Sequence, residues 1–120
     1  MPASRPSESE EWVADRVESW VETYKKSMLT PVVLALVARH QPASIAQVAT
    51  GITAATGWQV TERGLYRTLK RLADSGLLAS DDVDAPRTGA KRKHLSLTPL
   101  GAAFLAGISD HLVELPDVDR

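Results

Sequence analysis

Apolar residues recur three and four positions apart through several separate segments of this chain, and after Gly76 the period drops to two. A chain patterned this way must pack several short helices against a strand pair. The first helix is read from about Ser9 to Lys26. At about 100° per residue, Val13, Val17, Trp20, Val21 and Tyr24 share one stripe, with Trp12 at its edge, while Glu10, Glu18 and Glu22 lie off it. Thr30-Pro31 offers a cap followed by proline at a first helical position, so a second helix is expected to start there and run to Arg39, apolar nearly all round and therefore central. Ser44 caps a third helix, Ile45 to about Ala55, ended by Gly57. Thr61 caps a fourth, which carries Leu65, Leu69 and Leu72 before Gly76 stops it.

Beyond Gly76 the alternation predicts strands over Leu77–Ser80 and Lys91–Leu97, joined by a polar turn, Asp81–Ala90, that contains Pro86 and Gly89. Thr98-Pro99 repeats the cap-plus-proline signal, and a last helix is expected to carry Leu100, Phe104, Leu105, Ile108, Leu112 and Leu115 on one stripe before Pro116 halts it. With 120 residues, 43% of them hydrophobic, there is material for one core. The expected division is a disordered leader (1–8), an N-terminal helix (9–27), a helix-and-hairpin domain (28–98), a C-terminal helix (99–115) and a tail (116–120). Neither a membrane span nor a secretory leader is expected, because no apolar run reaches 18 residues and the first ten residues are rich in Pro, Ser and Glu. The absence of cysteine removes disulfides, thiolate catalysis and thiolate zinc sites, and fits a reducing compartment, the cytoplasm.

Net charge is −1, but its distribution is uneven. Between Gly57 and Leu95 there are eight basic and five acidic residues; the remainder has six basic and ten acidic, with acid concentrated from Glu8 to Glu22. The fourth helix concentrates the cations further. With Leu65, Leu69 and Leu72 turned inward, Arg63, Arg67, Lys70 and Arg71 fall on the opposite side and Tyr66 on the flank. Such a helix fits a major groove about 12 Å wide, with arginine reaching guanine edges and lysine or tyrosine holding phosphates. A solvated face would look the same in isolation. Two neighbours change the reading: the preceding helix crosses a glycine turn into this one, as a helix-turn-helix requires, and Lys91, Arg92 and Lys93 cluster on the hairpin that follows. These eight residues, Arg63, Tyr66, Arg67, Lys70, Arg71, Lys91, Arg92 and Lys93, are the candidate DNA-binding set.

Three runs carry a resemblance: Gly64-Leu65-Tyr66-Arg67-Thr68-Leu69-Lys70-Arg71-Leu72, then Ser75-Gly76-Leu77-Leu78, then Gly89-Ala90-Lys91-Arg92-Lys93-His94-Leu95-Ser96-Leu97-Thr98 with Gly101. In order and spacing they resemble the PadR-like family, whose members show T-L-Y-x-x-L-x-R-L-E, D-G-L-I/L and G-G-R-R-K-Y-Y-x-L-T-x-x-G. The similarity spans about Pro31 to Ile108. It implies a mainly α fold with a small β-hairpin, a winged helix-turn-helix with extra N-terminal and C-terminal dimerisation helices. It also implies a homodimeric repressor that binds a palindromic double-stranded DNA operator and is released by a small-molecule effector, needing no cofactor, metal or catalytic residue. The dimerisation residues implied are Trp12, Val17, Trp20 and Tyr24 on the first helix and Phe104, Ile108 and Leu112 on the last. Because few residues follow Thr98, the similarity is to the short subfamily. No tryptophan follows Trp58, so a site holding planar drugs between C-terminal tryptophans is not expected.

The chain departs from the family pattern at three places. Gly64 stands for a threonine, Ala90 for the second wing glycine, and His94-Leu95 for an aromatic pair. Gly64 either allows close backbone approach to DNA or is tolerated at a cost of about 1 kcal/mol. His94 is read as a strand residue, a phosphate donor or a pH-sensitive group, and Trp58 as a core or turn-packing residue. The competing reading of the whole chain is a winged-helix adaptor that binds protein without specific DNA binding, since fold does not fix function. Cations on both helix and hairpin are what that reading leaves without a purpose. His40, His94 and His111 lack ligand-spaced partners, and no nucleotide-binding or nucleophile motif occurs, so no enzyme is expected.

Overall fold

The computed structural model describes residues 5–84 and 91–118; for 82–84 and 91–92 it describes the backbone only. The elements run α1 (Glu8–Arg39), β1 (Ala43–Ser44), α2 (Ile45–Thr56), α3 (Glu62–Asp74), β2 (Leu78–Asp84), β3 (Lys91–Leu97) and α4 (Pro99–Ser109). Residues 1–4 of the expected leader and most of the turn before Lys91 lie outside the described residues, while Glu8, expected in the leader, already begins α1. The chain divides into two compact units, Met1–Thr30 and Pro31–Arg120.

In the second unit the core is Val33, Leu34, Leu36 and Val37 from the end of α1, Ala43, Val48 and Ile52, Leu65, Leu69 and Leu72 of α3, and Leu77, Leu78 and Leu95 around the strands. Each large side chain removed from water here contributes about 1.5–3 kcal/mol, so this set outweighs any single polar contact in the molecule. Local signals start the helices where the sequence places them. Ser44 accepts from the Gln47 backbone N–H (3.1 Å) while the Gln47 side chain accepts from the Ser44 N–H (2.9 Å), a reciprocal cap for α2. Gly57 closes α2 in the left-handed conformation, φ 76°, its N–H donating to Thr53 O at 2.8 Å. Thr61 caps α3 through the Gly64 N–H at 3.0 Å.

The strands form an antiparallel sheet in the order β1-β3-β2. β1 is an addition to the predicted hairpin: Ala43 pairs with Leu95 and Ser44 with His94. Two residues, Ala43 and the cap Ser44 itself, carry no alternation, and their strand geometry comes wholly from the β3 edge. Gln41 strengthens that edge, its Oε1 accepting from the Leu97 N–H at 2.6 Å. β2 reaches Asp84, four residues past the predicted end at Ser80.

Two helix boundaries also differ. Pro31 does not begin a new helix but lies inside α1. Its fixed φ of about −65° is helical, and what it forfeits is one backbone bond, to the carbonyl four residues back. The last helix ends at Ser109, not near Leu115. Ser109 Oγ donates back to Leu105 O at 2.8 Å, and serine and aspartate side chains compete with the backbone in this way at helix ends. Leu112 is exposed and Leu115 is 88% exposed, so no buried stripe holds further turns in place. Leu112 therefore does not belong to an α4 stripe with Phe104 and Ile108.

The junction of α3, the sheet and α4 converges on one carbonyl. Leu77 O accepts from the Thr98 N–H (3.2 Å) and from the Thr98 hydroxyl (3.1 Å), and that hydroxyl also caps α4 through the Gly101 N–H at 2.9 Å. Gly101 is buried directly over this group, where a Cβ would run into Leu77 O. Gly101→Ala should therefore destabilise the fold by about 1–3 kcal/mol through overpacking. Gly107→Ala in the same helix, where a Cβ meets nothing within 4 Å, should be neutral or stabilise by up to about 1 kcal/mol. Thermal denaturation of the two variants checks this, and equal melting temperatures would refute it.

Candidate nucleic-acid interface

α3 is short, and its three buried leucines at 65, 69 and 72 fix its rotation about its own axis. With that face committed to the core, Arg63, Arg67, Lys70 and Arg71 are exposed, and Tyr66 is 45% exposed on the flank. Gly64 sits in the first turn, where a Cβ would stand 2.9 Å from the Thr61 Oγ1 that caps the helix. Its lack of a side chain thus suits the cap. Thr68 Oγ1 donates to Gly64 O at 3.1 Å, bracing the same turn.

The sheet brings the hairpin to α3. Across the face between them lies a cleft of about 480 Å³ whose lining includes Arg63, Tyr66, Arg67, Lys70 and, from β3, Lys93. Five of the eight candidate residues therefore meet on one surface. Arg71 is exposed on α3 outside that lining, and Lys91 and Arg92 lie farther out on β3, their side chains outside the described set. Lys70 Nζ is held by Asp74 one turn on, at 2.9 Å, with both side chains largely exposed. Such a pair is worth about 0–1 kcal/mol in water, so it positions Lys70 without committing it.

The register adds what the sequence pattern leaves hidden. β2 sets Asp81 across from His94, Asp82 across from Lys93, and Asp84 across from Lys91, while Arg92 stands across from Val83. The acidic positions of β2 thus register with basic positions of β3. The spacing of Asp81, Asp82 and Asp84 was visible in the sequence, but their partners depend on the register. His94 is half-buried in the middle strand between Ser44 and Asp81. Trp58 is half-buried in the turn before α3, its carbonyl accepting from Thr53 Oγ1 at 3.1 Å and its N–H donating to Thr56 Oγ1 at 3.0 Å, a turn-packing role.

The residues read as dimer contacts occupy two places. Trp12, Val17, Trp20 and Tyr24 are exposed on the N-terminal part of α1, with Trp20 and Tyr24 stacked at 5.1 Å and the Arg16 guanidinium over Trp12 at 5.2 Å. Phe104 is exposed and Ile108 half-exposed on α4. Among the described residues, no group of three or more histidine, cysteine or acidic side chains could hold a metal ion, and no helix is long and apolar enough to cross a membrane.

Comparison with known proteins places this geometry. The transcriptional regulator PadR-like family matches residues 33–107. A PadR-like transcription factor from Bacteroides fragilis is 27% identical, with a TM-score of 0.65, covering 77% of this chain and 86% of its own. A PadR family transcriptional regulator from Eggerthella lenta is 25% identical, with a TM-score of 0.70 and coverage of 83% and 85%. Bacillus subtilis PadR, solved in complex with operator DNA, shares the fold at 20% identity and a TM-score of 0.64, covering 78% of this chain and 54% of its own. No curated protein matches the chain. The fold is the winged helix of these neighbours, mainly helical with a small antiparallel sheet.

Proposed function

Because the chain belongs to the PadR-like family of transcriptional regulators, which are not enzymes, we propose that it acts as a homodimeric repressor reading a palindromic operator and released from it by a small-molecule effector. The observation that carries this reading is the meeting of Arg63, Tyr66, Arg67 and Lys70 on α3 with Lys93 on the wing. A helix with a cationic outer face and a basic hairpin beside it suit a major groove and its flanking phosphates. The Bacillus subtilis neighbour was solved with operator DNA, and this chain shares its fold. In this reading Arg63 and Arg67 contact base edges, Tyr66 and Lys70 hold phosphates beside them, and Lys93 with Lys91 and Arg92 reaches the backbone alongside. The protein works in the cytoplasm, at the nucleoid.

The two roles separate experimentally. In a dimer contacting about six phosphates, the logarithm of the binding constant falls with the logarithm of salt at a slope near −5. Arg67→Ala should cost roughly 1–3 kcal/mol and relax base preference, whereas Lys93→Ala should weaken all duplexes about equally and flatten the slope by about 1 for each phosphate it no longer neutralises. Fluorescence anisotropy on genomic fragments across a salt series measures both. A slope near zero would leave the adaptor reading in its place, and a change of base preference in the wing variant alone would reverse the assignment of roles.

The dimer is carried by the apolar side chains left exposed on both terminal helices. Trp12 is 60% and Trp20 63% exposed, and one large aromatic hides about 150–250 Å² when buried. A second copy of the chain burying this stripe together with Phe104 and Ile108 gives an isologous two-fold interface and two recognition helices about 34 Å apart, one DNA turn. Trp12→Ala combined with Trp20→Ala should then give a monomer or an aggregate by light scattering, with strongly reduced operator binding. A soluble dimer of unchanged affinity would place dimerisation elsewhere.

A further inference from the structure

The cleft between α3 and the wing holds more than a phosphate backbone needs. Its floor is apolar, built from Ile45, Leu69, Ala73 and Leu95; Arg63, Arg67 and Lys93 stand around it with the Tyr66 phenol and Ser80, and its one carboxylate, Asp74, is paired with Lys70. A phosphodiester strand uses the cations and makes no use of the floor. The volume, about 480 Å³, lies within the range of about 300–1,000 Å³ typical of small-molecule sites, which are likewise mostly apolar with a few placed polar groups.

Charge selects the occupant. Arg63 and Arg67 are four residues apart on one helix face, an arrangement in which like charges repel by a few tenths of a kcal/mol, and an anion placed between them relieves the repulsion. Lys70 already has Asp74 beside it, so the cations of the α3 wall without a carboxylate one turn on are the two arginines. The neighbouring clefts in this unit differ. One beside the turn after α2 is lined by Ala49, Thr50, Thr53, Ala54, Gln59 and Val60, with no charge, and one between α2 and the start of α3 has Glu62 as its charged group.

We infer that the cleft between α3 and the wing is a binding site for an organic anion with an apolar body, the carboxylate or sulfonate held by Arg63, Arg67 and Lys93 and the body lying on Ile45, Leu69, Ala73 and Leu95. This rests on the DNA-binding reading for its consequence: ligand and duplex draw on the same cations, so each excludes the other. Release is then direct competition on the reading face and needs no movement of the dimer. The apparent dissociation constant for DNA rises with the ligand concentration divided by the ligand's own dissociation constant.

The test uses the full chain and 8-anilinonaphthalene-1-sulfonate as the probe. Backbone amide shifts locate it, which matters because exposed aromatics on α1 also attract such a molecule. The expected result is saturable binding with shifts at residues 63–73 and 93–95. Binding should weaken at least tenfold in Arg67→Ala, which removes a cation, and in Ala73→Phe, which fills the floor; the amide spectra of both variants check their fold. Anisotropy with a labelled duplex should show the affinity falling in proportion to added probe. Shifts confined to α1 or α4 overturn the site, as does probe binding unchanged in both variants, and a ternary complex overturns the competition. A chain that takes the probe in the cleft yet binds no duplex refutes the DNA reading and upholds the site, whereas one that binds duplex and takes no probe there refutes the site alone.

Discussion

Leu65, Leu69 and Leu72 lie in the core of the second unit with Val33, Leu34, Val48 and Ile52, and this burial leaves α3 a single orientation about its axis. Rotating the helix by even a third of a turn would expose leucine and bury arginine, and an unpaired buried charge costs several kcal/mol. The outward aim of Arg63 and Arg67 is thus a by-product of hydrophobic burial and requires no dedicated contact. The cap at Thr61 sets where the helix starts, while the leucines set which way it faces.

The wing is positioned by a different mechanism. Ser44 ends β1 and caps α2, so the strand that edges the sheet and the helix before the turn share one residue. Gln41 and Thr98 tie down the end of the sheet where β2 begins and β3 finishes, Gln41 through Leu97 N and Thr98 through Leu77 O. The hairpin therefore leaves the domain at a fixed point beside α3.

Much of the fold was legible because the signals are local. Ser44, Thr61 and Thr98 each cap a helix as their side-chain chemistry requires, and the wheel over residues 62–74 separates leucine from cation as found. Elsewhere the outcome depends on partners that a linear reading lacks. β1 exists only because β3 offers Ala43 and Ser44 an edge at Leu95 and His94; α1 runs through Pro31 because the ring tolerates helical geometry; α4 stops at Ser109 because nothing covers Leu112 or Leu115. The cations of the site could be named from sequence, but the apolar floor they surround could not. Ile45 and Leu95 are fifty residues apart in the chain and become neighbours only when β1 pairs with β3.

The central claim is that the outer face of α3, presented twice by a dimer, reads base sequence. Sequencing the fragments of genomic DNA retained by the purified protein tests it most directly. The account predicts strong enrichment of a few fragments sharing two inverted half-sites, their centres about 10 base pairs apart or a multiple of it. Uniform recovery across the genome, with no shared motif, would contradict it.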